Sequence, residues 1–132
     1  ERWLFHGTTP DAVRNITDSE FRIDMAGSNR GTMYGKGLYF AECSSKADEY
    51  SEVGLDGVCT MLICRVTLGN IAVNTDKSPD AKDLTSMVQS GGYNSVLGDR
   101  WTAVGTFREF IVYDSAQVYP AYIVFYKRRM QS

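Results

Sequence analysis

The sequence contains 132 residues, of which 43% are hydrophobic and 23% are charged. This composition is typical of globular proteins and excludes disordered, collagen-like and coiled-coil chains. The formal net charge is -2, so no excess of basic residues is present to drive binding to nucleic acid or to an anionic membrane. No apolar run approaches the ~20 residues that a helix needs to cross a bilayer. The length predicts one compact domain.

The cysteines Cys43, Cys59 and Cys64 form no C-x-x-C pair, and the single histidine, His6, lies too far away for a familiar zinc spacing. We therefore predict reduced thiols that behave as small buried hydrophobic side chains, and no bound metal. Reduced thiols favour an intracellular location, nuclear or cytoplasmic.

The first half of the chain is predicted to contain short strands and helical turns. An apolar strand starts at the first residues with no leader before it, which suggests a sequence cut from a longer protein. The patterns predict a strand over Trp3–His6 that Gly7 ends, then a helix that Thr9 caps and Pro10 begins. They continue with a long loop over 18–36, a strand over Gly37–Phe40, and a helix that a Ser45-x-x-Asp48 capping box opens and that continues through Tyr50 and Glu52.

The second half is predicted to be mainly β. Its elements are a central strand over Cys59–Leu68, short strands over Ile71–Val73 and Tyr93–Leu97, a helical turn over Ala81–Val88, and strands over Phe107–Tyr113 and Ala121–Tyr126 joined through 114–120. Short connections favour antiparallel pairing, so the expected class is α+β.

Glu109 is the first candidate for chemistry. In a strand of period two it shares a face with the apolar side chains Phe107, Ile111 and Tyr113. A carboxylate on an apolar face is costly unless it is paired or hydrogen-bonded, and such environments concentrate at functional sites. From the strand alone, a functional carboxylate and a structural ion pair with Arg65, Arg100 or Arg108 are equally supported.

Other candidates surround a glycine-rich turn. Gly35 and Gly37 flank Lys36, which lets the backbone approach a flat ligand, although the pattern is not a phosphate-binding P-loop. Tyr39 and Tyr50 could face one another across a gap that fits an aromatic ring, while core packing explains either one alone. His6, taken alone, fits an ordinary half-buried histidine.

Four motifs follow one another at specific spacings along nearly the whole chain. They are L-F-H-G-T at 4–8, Y-G-K-G-L-Y-F-A at 34–41, S-S-K-x-x-x-Y at 44–50 and R-E-F-I-V-Y-D-x-x-Q-V-Y-P-x-Y at 108–122. Together they resemble the catalytic domain of the poly(ADP-ribose) polymerase family. The resemblance implies the ADP-ribosyltransferase fold shared with diphtheria-type toxins, with two packed, mainly antiparallel sheets and short flanking helices. It also implies an enzyme that transfers ADP-ribose, singly or as a polymer, from NAD to protein acceptors and releases nicotinamide.

The resemblance also implies site residues. The family's His, Tyr and Glu triad corresponds to His6, Tyr39 and Glu109. Tyr39 and Tyr50 would sandwich the nicotinamide ring, and Glu109 would accept a hydrogen bond from the 2'-hydroxyl of the nicotinamide ribose.

Further positions follow from the same match. Gly7 would bind the nicotinamide carboxamide through its backbone, and His6, helped by Thr8, would bind a hydroxyl of the adenine-side ribose. Lys36 would orient the acceptor or the pyrophosphate. The loop 22–33 corresponds to the family's donor loop, and 74–106 to its acceptor-side loop.

The sequence departs from the family pattern at two places. Many relatives carry a serine where this chain has Ala47, with Ser44 and Ser45 nearby, so Ser45 is a candidate nicotinamide ligand. The domain over 1–132 is also expected to lack its N-terminal strand and helix. The His6-Gly7-Thr8 motif is typical of mono-ADP-ribosylating members, whereas Glu109 is typical of polymer-forming ones.

These departures leave alternatives for the function. A catalytically weak or inactive NAD-binding module of the same fold is the main one. Modification of nucleic acid ends is disfavoured by the net charge of -2. We expect protein acceptors, including automodification, no membrane contact and a monomeric domain.

Overall fold

The structure, a computed structural model, describes residues 1–9 and 33–129. The strands in this part of the chain are β1 Arg2–Thr8, β2 Leu38–Phe40, β3 Cys59–Val66, β4 Ile71–Asn74, β5 Ser95–Gly98, β6 Glu109–Val112 and β7 Val118–Tyr126. The helices are α1 Ser44–Asp48, α2 Ala81–Gln89 and α3 Arg100–Val104, with a 3-10 turn over Ser115–Gln117.

The strands form two sheets. One has the order β1-β3-β7 and the other the order β2-β6-β5-β4. All neighbours are antiparallel except β4 and β5, which are parallel and which α2 connects. This crossover has the length that a parallel pair requires. The predicted α+β class with two mainly antiparallel sheets is confirmed.

The core between the sheets is built from the apolar run of β3. Leu62, Cys64 and Val66 alternate toward the second sheet, where they join a buried cluster with Leu4, Leu38, Phe40, Leu97, Phe110 and Val112. The predicted central position of this strand is confirmed by its pairing with both β1 and β7. Because β1 and β2 contribute to the same cluster, the core fixes the two strands that carry His6 and Tyr39.

Several predicted strand boundaries are wrong by two or three residues, among them those of β1 and β7. β1 continues through Gly7 to Thr8, because the antiparallel ladder to β3 extends to Thr60. β7 begins at Val118 and contains Pro120. Proline is tolerated there because β7 is an edge strand, where a missing N–H removes no essential ladder bond.

The helix after β2 also differs from its prediction. It ends at Asp48 and its N-cap is Cys43, whose side chain makes no capping hydrogen bond. The Asp48 carboxylate does not act in a capping box with Ser45; it accepts hydrogen bonds from the Tyr126 hydroxyl at 2.5 Å and from Arg128 Nε at 3.0 Å. Contacts distant in sequence therefore override the local capping pattern, and Tyr50 lies beyond the helix end.

The cysteines are all free thiols. Cys59 and Cys64 are buried as predicted, whereas the prediction of burial is wrong for Cys43, which is exposed before α1. In residues 1–9 and 33–129, no helix has the length and apolar character needed to cross a membrane. The predicted helix from Pro10 and most of the 22–33 loop lie outside the described residues.

Candidate active site

Tyr39 and Glu109 lie on the same face of the four-stranded sheet. Tyr39 is directly opposite Ile111 in the β2–β6 pair, and Glu109 precedes Ile111 by two residues, so all three side chains point to one side. Tyr39 and Ile111 belong to one hydrophobic cluster, against which Tyr50 and Tyr113 pack. The predicted placement of Glu109 on an apolar face is thus confirmed.

Glu109 is buried and is held by one side chain. The residue is 5% exposed, and the Tyr50 hydroxyl donates a hydrogen bond to Glu109 Oε1. Burial raises the pKa of Glu109 above its usual value of 4.5, and the Tyr50 hydrogen bond and the nearby Lys46 ammonium oppose this rise. Because these donors favour the ionised form, they keep a charge available in a desolvated position.

The structural alternative for Glu109, an ion pair with an arginine, is not what the structure shows. The three arginines have other partners. Arg108 binds Glu42, Arg100 donates to the carbonyls of Asp76 and Lys77, and Arg65 lies over the Tyr119 ring. The partner of the Glu109 carboxylate is Tyr50, which lies across the expected ring-binding gap from Tyr39.

Tyr39 is fixed by its hydroxyl. This hydroxyl accepts a hydrogen bond from Tyr34 N at 2.9 Å and donates one to Gly35 O at 2.7 Å. The Tyr39 and Tyr50 ring centroids are 6.2 Å apart, with 53° between the ring planes. The two rings are neighbours as predicted, but they are tilted and too close to leave the predicted gap for an aromatic ring between them. Tyr39 is the anchored wall of this slot.

His6 joins this group through the backbone of Tyr39. Its Nδ1 lies 2.9 Å from Tyr39 O, and because a carbonyl only accepts, Nδ1 carries the proton. Burial lowers the pKa of His6 below its ordinary value of 6.5. At neutral pH the ring is therefore uncharged, with Nε2 as the hydrogen-bond acceptor.

We expect the titration of His6 to show this environment directly. The chain has one histidine, so its ring proton resonances are unambiguous in an NMR pH titration. The midpoint should fall below 6.5, because burial disfavours the imidazolium. A midpoint at or above 6.5 would contradict the neutral, Nδ1-protonated ring.

Gly7 owes its missing side chain to helix packing. A Cβ at this position would clash with Ala47 O and lie 2.8 Å from Ala47 C and 3.0 Å from Ser51 Oγ. Phe5, two residues earlier, exchanges backbone hydrogen bonds with Ala41. The backbone N–H and C=O groups of alternate residues in a strand point to the same edge. Those of Gly7 therefore point to the same edge of β1 as those of Phe5, beyond the Phe5–Ala41 pair.

We expect Gly7→Ala to destabilise the protein by about 3 kcal/mol, the upper end of overpacking costs, because backbone atoms of α1 must shift. Gly92→Ala is the matched control, since a Cβ there meets nothing within 4 Å. It should leave stability unchanged or slightly raised. Urea unfolding of the two variants measures the difference, and equal midpoints would show that α1 is not fixed against β1.

The other predicted ligands are placed differently. Thr8 is 3% exposed and follows Gly7 on β1. Ser45 and Lys36 are exposed and lie outside the series of contacts that joins the four site residues His6, Tyr39, Tyr50 and Glu109. Ala47 is buried with Ala41 and Met61, so its methyl group packs between α1 and the strands beneath it.

Three residues near the site were missed by sequence reasoning. Lys46 lies with its Nζ 5.7 Å from the Tyr50 ring centroid, close enough to Glu109 to lower its pKa. Tyr34 and Tyr113 fix the turn before β2, since the Tyr113 hydroxyl donates to Tyr34 O at 2.5 Å. Lys46 could have been found from its position one turn before Tyr50, whereas the Tyr34–Tyr113 contact has no local sequence signal.

Comparisons with known proteins identify the family of the chain. The sequence matches the family described as the poly(ADP-ribose) polymerase catalytic domain over residues 1–104. It is 30% identical over 126 residues to human protein mono-ADP-ribosyltransferase PARP12, covering 96% of this chain and 17% of that protein. It is 32% identical over 133 residues to a probable poly(ADP-ribose) polymerase of Dictyostelium discoideum, covering 98% of this chain and 35% of that protein. Poly(ADP-ribose) polymerase tankyrase of Caenorhabditis elegans is 27% identical over 160 residues, which cover 96% of this chain and 7% of that protein.

The α+β architecture of two mainly antiparallel sheets is the ADP-ribosyltransferase fold. The chain belongs to the poly(ADP-ribose) polymerase catalytic domain family. The family match ends at residue 104, before Glu109, while the named relatives align over almost the whole chain. The chain spans about a third or less of the length of these relatives.

Proposed function

We propose that the chain is an NAD-dependent ADP-ribosyltransferase that transfers ADP-ribose from NAD to a protein acceptor and releases nicotinamide. The observation that carries this proposal is the continuous set of contacts from His6 to Glu109. His6 bonds the backbone of Tyr39, the Tyr39 ring faces Tyr50, and the Tyr50 hydroxyl bonds Glu109. These residues come from β1, β2, the turn after α1 and β6.

The Tyr39 and Tyr50 rings supply a slot for the planar nicotinamide. A ring stacked on both sides at contact distances of 3.5 to 4.0 Å needs walls roughly 7 to 8 Å apart. The centroids are 6.2 Å apart and tilted, so one wall moves when a ring enters. Tyr39 is anchored at two backbone atoms, and Tyr50 therefore moves.

Neighbouring groups hold the rest of NAD. The N–H and C=O of Gly7 match the donor and acceptor of a carboxamide, and we propose Ser45, which is exposed on α1, as a further ligand of this group. His6 Nε2 accepts a hydrogen bond from a ribose hydroxyl of the adenosine half, with Thr8 beside it. Lys36, at the exposed end of the turn, is suited to the pyrophosphate or the acceptor.

Glu109 stabilises the charge that develops in the reaction. The bond from ribose C1' to the nicotinamide nitrogen breaks, and its electron pair leaves with the ring, which departs neutral. The acceptor's lone pair forms the new bond at C1', and the acceptor proton is released to solvent. An ionised Glu109 bonded to the 2'-hydroxyl offsets the positive charge on the ribose at the transition state. It also polarises an acceptor hydroxyl during chain elongation.

We also propose the partners and location of the enzyme. The net charge of -2 favours protein side chains, including the protein's own, over nucleic acid as acceptors. The free thiols Cys43, Cys59 and Cys64 support an intracellular protein, nuclear or cytoplasmic. We propose a monomeric domain that uses no metal.

Incubation with NAD labelled in the adenylate phosphate tests the transfer. The wild-type protein should acquire label and release nicotinamide in proportion, and a neutral variant of an exposed residue, Tyr122→Phe, should do the same. Equal labelling of wild type and His6→Ala would contradict the proposal, because the labelling would then not depend on the candidate site.

An NAD-binding module without turnover is the second candidate. It is favoured by Ala47, which offers no hydroxyl to nicotinamide, and by the closed spacing of the Tyr39 and Tyr50 rings. Losing one such hydrogen bond costs about 0.5 to 1.5 kcal/mol. This candidate predicts a thermal shift on adding NAD with no nicotinamide release, and detectable release rules it out.

A further inference from the structure

The Tyr34 side chain is buried beside Glu109, and its hydroxyl is unsatisfied. Tyr34 is 0% exposed, and its Oη makes no hydrogen bond of normal geometry in the described part of the chain. The Arg100 guanidinium lies near this oxygen and opposes the rise that burial causes in the Tyr34 pKa. A guanidinium only donates, so the hydroxyl proton of Tyr34 still lacks an acceptor. A buried hydroxyl without a partner destabilises a fold, whereas phenylalanine in the same place carries no such cost. Packing alone therefore does not account for a tyrosine here.

The position of this hydroxyl follows from Gly98. A Cβ on Gly98 would lie 2.5 Å from Tyr34 Cε2 and would clash with the hydroxyl end of the ring. Gly98 is directly opposite Glu109 in the β5–β6 pair, and directly opposite residues project to the same face about 4.5 to 5.5 Å apart. The Tyr34 hydroxyl thus occupies the side-chain position that neighbours Glu109.

The backbone of Tyr34 cannot shift to relieve the unpaired hydroxyl. Its N–H donates to the Tyr39 hydroxyl at 2.9 Å, and its carbonyl accepts from the Tyr113 hydroxyl at 2.5 Å. The ring of Tyr34 is also 6.4 Å from that of Tyr39, centroid to centroid. Tyr34 is therefore held as rigidly as the anchored wall of the slot.

We expect ligand entry to remove the present partner of Glu109. The Tyr50 hydroxyl belongs to the ring that must move to admit a planar ligand, so we infer that it leaves the carboxylate. A buried carboxylate that loses its donor becomes harder to ionise. Lys46 and Arg100 still favour the ionised form, and a replacement hydroxyl donor on the same face would favour it further.

We propose that Tyr34 is a positioning residue whose buried hydroxyl donates a hydrogen bond to Glu109 when a planar ligand separates the rings of Tyr39 and Tyr50. The inference rests on the proposed function, in that Glu109 acts as the ionised group. It assigns Tyr50 as the donor in the free protein and Tyr34 as the donor in the complex.

Several groups set the charge of Glu109 besides Tyr34. The titratable and charged side chains facing it are Tyr50, Lys46 and Glu49 from α1 and its C-terminal end, Arg100 from α3, and Tyr39 from β2. These groups are the same in wild type and in Tyr34→Phe. Arg100 also interacts with the Tyr34 hydroxyl, so the change between free and nicotinamide-bound protein, compared between wild type and Tyr34→Phe, reports the hydrogen bond to Glu109.

The test uses Tyr34→Phe, with Tyr122→Phe as an exposed control, and nicotinamide as the probe. The Glu109 pKa is measured by NMR on protein with carboxyl-labelled glutamate, first free and then saturated with nicotinamide. We expect the free-state pKa of Tyr34→Phe to equal that of wild type. The complex of the variant should titrate about one unit higher, the size of one lost hydrogen bond to a charged group.

Kinetics give a parallel result. The acid limb of kcat reports the complex and that of kcat/KM reports the free enzyme. The ionised fraction of Glu109 falls as the pH drops through its pKa. A raised pKa therefore moves the acid limb of the rate profile to higher pH. Tyr34→Phe should shift the limb of kcat and leave that of kcat/KM in place.

Three results would overturn the proposal. They are equal Glu109 pKa values in the two nicotinamide complexes, a lower unfolding temperature for Tyr34→Phe, which would mean that the hydroxyl is paired in the free protein, and no binding of nicotinamide to wild type. Binding and the expected pKa shift without turnover would refute the proposed transferase function and leave the role of Tyr34 intact.

Discussion

Replacing His6 with alanine is expected to abolish nearly all transfer of ADP-ribose. The ring links β1 to the Tyr39 carbonyl through Nδ1, and we propose that Nε2 binds a ribose hydroxyl. Its loss therefore removes the orientation of NAD. It also removes a packing contact with the core, because the imidazole centroid lies 5.2 Å from that of the Phe40 ring. Misplaced reacting atoms cost about 100-fold in rate. We expect kcat/KM for NAD to fall by at least that factor in a nicotinamide-release assay.

Two conservative variants separate the functions of this ring. His6→Asn keeps a donor near Nδ1 and should retain the Tyr39 contact without binding ribose. His6→Gln places an amide near the position of Nε2 and should restore part of the activity. If all three variants lose equal activity while remaining folded, ribose binding by Nε2 is not the function of His6.

Glu109→Gln is expected to eliminate chain elongation and to slow the first transfer. The amide keeps an oxygen for the Tyr50 hydroxyl but carries no charge. Removing one electrostatic contact to a transition state costs about 100- to 1000-fold in kcat. Product length on a sequencing-type gel and the initial rate of nicotinamide release measure the two effects, and Glu52→Gln is the exposed control.

The same variant should be more stable than wild type at neutral pH. Burial raises the pKa of folded Glu109 above 4.5, so the native state binds more protons than the unfolded state, and stability falls as pH rises through this window. Glutamine removes the free-energy cost of holding a buried charge at neutral pH. The wild-type protein thus gives up stability at this position in favour of activity. Two results would contradict this account. They are chain elongation by Glu109→Gln to the wild-type extent, and an unfolding temperature of Glu109→Gln below that of wild type at pH 7.

Patterns of period two predicted the sheet and the placement of Glu109. The continuous apolar run of β3 indicated the central strand, and alternation around Ile111 placed Glu109 on the face that Tyr39 shares. Both features depend on neighbouring residues of one strand. These predictions are correct because backbone pleating alone decides which side chains of a strand share a face.

The features that could not be predicted join residues distant in sequence. The capping-box pattern failed because Tyr126 and Arg128 bind the Asp48 carboxylate. The hydrogen bond from Tyr50 to Glu109 spans 59 positions, and no local periodicity reports it. Gly7 was identified as a glycine suited to ligand approach, while the contact that excludes a side chain comes from Ala47.

Intact-mass spectrometry after incubation with NAD tests the transferase proposal most directly. The wild-type protein should gain whole ADP-ribosyl increments, with one nicotinamide released per increment, and fragmentation should locate the acceptor side chain. His6→Ala should keep its unmodified mass under the same conditions. An unchanged wild-type mass with no nicotinamide released, in a protein that binds NAD, would contradict the account.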